Sequence, residues 1–221
     1  MIRAGPVGTI DAMTTTRNRV RPQWRLPAAL ILFSAIPVVA GMFRTAQLVA
    51  GAEITPDNAR FFASPVPVLL HIVSVTAYCV VGAFQFVPSL RGRRSGWHRL
   101  AGRILVPCGL IAALSGVWMT LFYPRAAAVG DLLTAVRVGF GSFMAVALVL
   151  GLAAIRTRSF ATHRAWMIRA YAIALGAGSQ AVIIGSWMLA VGPPDEFVNT
   201  LLMALSWTLN LAVAERIIRR R

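Results

Sequence analysis

Eighteen of the twenty-two arginines in this chain fall on one side of an alternation between apolar stretches and polar connections. The stretches are long: 26–43, 65–87, 104–123, 132–155, 170–191 and 197–214 are each nearly free of charge. At a rise of about 1.5 Å per residue, roughly 20 mostly apolar residues cross a hydrocarbon core of about 30 Å. Six such runs with one-sided arginine predict an all-α fold, a six-transmembrane-helix bundle in which helix satisfies the backbone within lipid.

The basic side collects Arg3, Arg17, Arg19, Arg21 and Arg25, then Arg91, Arg93, Arg94, Arg99 and Arg103, then Arg156, Arg158, Arg164 and Arg169, and finally Arg216, Arg219, Arg220 and Arg221. The other side holds Arg44, Arg60 and Arg125 with Glu53, Asp57, Asp131, Asp195 and Glu196. Short basic loops stay inside, so both termini are expected in the cytoplasm and the chain in a bacterial plasma membrane, multi-pass. A net charge of +15 is then spent on topology, which argues against nucleic acid. The expected partners are anionic lipids of the inner leaflet, at about 1 kcal/mol per basic residue near the surface. The absence of lysine reads as the usage of a GC-rich bacterial genome.

Three segments follow: a disordered basic cytoplasmic tail at 1–25, a membrane domain at 26–216 and a basic end at 217–221. Met13 is an alternative start, and the first run reads as an uncleaved helix because Arg44 precedes the small residues Ala50-Gly51-Ala52. Trp24, Trp97 and Trp166 mark the inner interface and Trp118, Tyr123 and Trp187 the outer one, while Trp207 falls deeper and packs between helices. Pro37 and Pro107 lie within spans and predict kinks. The connection 44–64 reads equally as a short interfacial helix or a loop. Cys79 and Cys108, buried in spans, need no disulfide, and no regular Cys/His spacing marks zinc.

Two inner loops share RxRxxxxHR: Arg91 aligns with Arg156, Arg93 with Arg158, His98 with His163 and Arg99 with Arg164. Arg103 follows in the first copy and Arg169 in the second, one residue out of step. Two helix N-termini, each with an HR pair at one membrane face, could cradle a phosphate or carboxylate, and lipid head groups would satisfy them. Glu215 at the inner end of the last span calls for Arg103 or Arg169 as partner. A metal site from His98, His163 and Glu215 is chemically conceivable. Deeper, His71 and Arg137 stand at similar depths from the outer edge, with Arg137 expected to face the bundle interior or reach out to Asp131. Together with Gln85, Asn199 and Gln180 they make a moderately polar interior with room for a ligand, although interhelical hydrogen bonding accounts for the same residues.

At GAFQFVPSLRGRRSGWHRLAGR and HRAWMIRAYA, followed by WTLN and Ala214-Glu215-Arg216, the chain resembles the bacterial membrane family catalogued as domain of unknown function 2306, from about His71 to Glu215. Matching positions include Phe84, Gln85, Arg91, His98, Arg99, Gly102, Arg103, His163, Arg164, Trp166, Met167, Arg169, Trp207 and Asn210. The family pattern carries a basic residue later in the fifth span, where this chain has Gln180. The resemblance implies an integral membrane protein and brings no established reaction.

Three functions remain. The first is a non-catalytic scaffold or accessory protein whose His/Arg-rich inner face binds anionic lipid. A b-type haem or quinone carrier would use His98 and His163, or His71 with Met119, Met188 or Met203. A small-ligand binder or transporter would use His71, Gln85, Arg137 and Gln180, without proton coupling through a buried carboxylate. Neither a Ser-His-Asp arrangement, a phosphate loop nor HExxH supports a recognisable enzyme class. The inner His/Arg face is the expected functional region.

Overall fold

Backbone groups in hydrocarbon have no partner but one another, so the apolar runs become helices. The computed structural model describes residues 24–91, 96–125 and 129–220, with Ser89 and Arg91 as backbone only. The elements are α1 (Arg25–Ala50), α2 (Ala59–Ala63), α3 (Pro65–Ala83), α4 (Trp97–Phe122), α5 (Asp131–Arg156), α6 (Phe160–Ala174), α7 (Gly176–Ala190) and α8 (Glu196–Arg219). With α6 and α7 taken together, six helices are long and apolar enough to cross a membrane. The expected disordered tail, apart from Trp24 and Arg25, lies outside the described residues, as do Arg93, Arg94 and Arg221.

Helix ends differ from the apolar limits where polar residues can still hydrogen-bond along a helix. The first run stops at Arg44, yet α1 continues until Gly51 turns left-handed at φ 62° and closes it. Arg44 meanwhile donates to Gln47 Oε1 at 2.8 Å. The connection that sequence left open contains α2, held by Asn58, whose side chain accepts from the Thr55 N–H at 2.7 Å and donates to the Glu53 carbonyl at 2.9 Å.

Large side chains point outward and small ones inward, the reverse of a water-soluble core. Leu32, Val49 and Leu189 are 74%, 81% and 92% exposed, while Ser34, Ser179, Thr200 and Ser206 are buried beside Ala112, Ala147 and Ala170. Small residues let helices approach closely in lipid, where hydrophobicity does not drive association. At Gly109 an added methyl would stand 2.8 Å from both the Tyr78 ring and a Leu148 methyl. Gly178 lies directly under the Phe33 carbonyl of α1. Pro37, four residues on, has no N–H for that carbonyl.

Neighbours run in sequence: α1 packs on α3, α3 on α4, α4 on α5 and α5 on α6. The break at Leu175 then redirects the fifth span, so that α7 packs on α1 and closes a ring. Carbonyls at the break are met from other helices: Asn210 donates to Ala172 at 3.1 Å and the Cys79 thiol to Ala174 at 3.7 Å. Helix α8 packs on α7 and α6 and reaches α5, with Trp207 stacked on Phe140 at 5.0 Å and seated on Gly176.

Candidate functional site

The two HR motifs do local work at the arginine-rich end. His163 Nδ1 donates to the Gly151 carbonyl at 2.8 Å, tying the start of α6 to α5. A side chain at Gly151 would displace the Met167 methyl and crowd Trp166. Of the two candidate partners for Glu215, Arg169 is the one engaged: Nε and Nη2 reach the two carboxylate oxygens at 2.5 and 3.0 Å. The same guanidinium lies 4.7 Å over the Trp166 ring. A planar, two-pronged cation thus clamps α6 to α8.

His98 is half-buried on the first turn of α4, while Arg99 and Arg103 are exposed and Arg164 half-buried. Both α4 and α6 pack on α5, α4 more extensively still on α3. The conceivable trio of His98, His163 and Glu215 is not assembled. No group of three His, Cys, Asp or Glu able to hold a metal ion occurs among the described residues. The physical reason is that Glu215 and His163 are already committed to Arg169 and to the Gly151 backbone.

A cavity of about 480 Å³ opens instead at the other end of the bundle, lined by His71, Arg137 and Gln180. His71 and Arg137 each stand six residues into their helices, about 9 Å deep at the usual rise. Met119, Met144, Met203 and Trp207 add apolar walls, and Arg60, Phe61, Tyr123 and Arg125 surround the mouth. The lid helix α2 is pinned over it: Tyr123 donates to the Ser64 carbonyl at 2.5 Å, and Phe61 meets the Tyr123 ring edge-on at 5.6 Å. Arg44 and Arg60 both stack on Phe61, at 4.7 and 4.8 Å.

Inside, the polar groups are under-used. Asp131, the expected outward partner of Arg137, is paired with Arg125 at 2.5 Å. Arg137 has instead a single weak acceptor, the Met203 sulfur at 3.6 Å, and no carboxylate among the described residues. Gln180 Nε2 is buried without a hydrogen-bond partner among them. His71 Nδ1 lies 2.8 Å from the Ala112 carbonyl, which can only accept, so Nδ1 carries the proton and neutral Nε2 keeps its lone pair. Gln85 does not line this cavity; at the inner end of α3 both its amide atoms are buried without a partner among the described residues. Met119 and Met203 line the cavity, whereas Met188 is 53% exposed elsewhere.

Sequence reasoning missed Arg60 and the lid, and the core pair Tyr78 and Tyr171, whose rings are 5.8 Å apart. The Tyr171 hydroxyl donates to the Cys79 carbonyl at 2.7 Å. The second and fifth spans that carry this pair are brought together only by the fold, so sequence held no signal for it.

A family model described as a predicted membrane protein matches residues 68–218. No curated protein and no solved structure matches the chain.

Proposed function

The chain belongs to the DUF2306 family of predicted membrane proteins, and from that premise we propose that it binds a small anionic ligand in the cavity between α3, α4, α5, α7 and α8. The observation that carries this reading is Arg137, a cation lining a mostly apolar cavity with no carboxylate among the described residues. A guanidinium in such surroundings attracts an anion far more strongly than one in water. Gln180 Nε2 offers a second donor, and Arg60 at the mouth guides negative charge inward. On the opposite end, the arginine-rich surface holds anionic lipid, in a bacterial plasma membrane with both termini cytoplasmic.

Titration of octanoate into protein in a non-ionic detergent tests the proposal. Charge-assisted hydrogen bonds contribute about 1.5–3 kcal/mol, so Arg137→Met weakens binding by roughly tenfold or more. Arg99→Met, exposed at the opposite end of the bundle, leaves it unchanged. Equal affinity in Arg137→Met and the parent sinks the reading.

A second reading, b-type haem, draws support from the free Nε2 of His71 with Met119 and Met203 in the same cavity. It requires a Soret band after haem supplementation that His71→Ala abolishes. The same spectrum carries a quinone reading only if reduction leaves no haem signal and an extractable quinone remains bound.

A further inference from the structure

A second cavity, of about 140 Å³, lies between α1, α3 and α7 and is bounded by Ser34, Pro37, Ile72 and Thr76. It shares His71, Val75, Ala174 and Ala177 with the first, so the two spaces are neighbours with these four side chains between them. Their chemistry is graded. Arg60 and Arg125 stand at the mouth, Arg137 at the level of His71 and Gln180 deeper, ten residues from the outer end of α7; in the second cavity the lining has no ionisable group besides His71 except the Cys79 thiol, which is turned to the Ala174 carbonyl. From His71 to Cys79 along α3 is about 12 Å at the usual rise, towards the bilayer middle. Pro37 and Gly178 both line this deeper space, and Gly178 lets the Phe33 carbonyl and ring of α1 lie directly against α7 at its edge.

A cationic entrance followed by an apolar blind end complements one class of molecule. Resting on the anion-binding reading, we infer that the ligand is a single-chain amphiphile with a carboxylate or similar anionic head, held at Arg137 and Gln180 while its hydrocarbon chain passes His71 into the second cavity. Thr76 and Val38 line only that deeper space. They set how much chain is accommodated, and the head group does not touch them.

The test is a chain-length series, acetate to decanoate, with affinity measured against the free aqueous concentration of each. Burial of each methylene strengthens binding by roughly fourfold until the deep end is filled. Thr76→Phe places a ring there and makes the series level off at a shorter chain, with acetate binding unchanged. Val38→Phe approaches the same space from α1 and provides the same readout should Thr76→Phe fail to fold. A series that is flat with chain length, while Arg137→Met still abolishes binding, overturns the chain path and leaves the anion site standing. Absence of binding by every member, with Arg137→Met indistinguishable from the parent, removes both.

Discussion

Two glycines in α4, seven residues apart, give opposite responses to one added methyl group. At Gly109 that methyl would sit 2.8 Å from Leu148 and from the Tyr78 ring, whereas at Gly102 nothing lies within 4 Å. Carbon atoms are comfortable at about 3.5–4.0 Å, so the overlap at Gly109 is roughly 0.7 Å on two sides at once. Leu148 is 0% and Tyr78 4% exposed, and neither has space to retreat into. Overpacking of this kind costs about 1–3 kcal/mol. Alanine also raises helix propensity by up to about 1 kcal/mol over glycine, but that gain applies to both positions and cancels in their comparison. Gly109→Ala is therefore less stable than Gly102→Ala by about 1–3 kcal/mol. Gly139→Ala, open on all sides within the span of α5, behaves as Gly102→Ala does. Unfolding of each variant in mixed micelles by dodecyl sulfate, followed by circular dichroism, measures the difference. Equal midpoints for Gly109→Ala and Gly102→Ala would refute close packing of α3, α4 and α5 at this level.

Arg169→Lys loses the two-pronged contact to Glu215 and the flat face over Trp166, lowering stability by about 1 kcal/mol in the same assay after allowance for solvent at this partly exposed pair; an unchanged midpoint counts against the clamp. Arg158 sits at φ 59° in the turn from α5 to α6, so Arg158→Gly relieves a left-handed conformation costing about 1–2 kcal/mol and raises the unfolding midpoint; a lower midpoint contradicts the turn. Cys79 is buried, and a water-soluble maleimide leaves it unmodified in folded protein but labels it after denaturation. A fluorescent protein fused to the C-terminus is bright and an alkaline phosphatase fusion inactive if the chain end is cytoplasmic; the reverse pair of results inverts the topology.

The spans are legible in sequence because each depends on a local quantity, the length of an apolar run. Their ends are less so: Arg44 marks where hydrophobicity stops, while the helix stops at Gly51, where the backbone changes hand. The break at Leu175 leaves little trace, since its freed carbonyls are met by Asn210 and Cys79 from distant segments. The repeated HR motif drew attention to the arginine-rich end. Two of its residues' partners, the Gly151 carbonyl for His163 and Glu215 for Arg169, show why such a pattern does not by itself make a site. Depth alone placed His71 and Arg137 at a common level, yet only the fold brings them with Gln180 to one cavity and leaves Gln85 outside it. Pairing Asp131 with Arg125 was equally invisible, because it turns on which way two neighbouring side chains face.

Met203 and Trp207, two walls of the cavity, come from α8, which is docked against an already closed circuit of helices. During synthesis the ribosome delivers that segment after α1 to α7. The pocket is thus completed only once α8 has inserted, and a nascent chain halted before it would leave the Arg137 guanidinium without its sulfur neighbour.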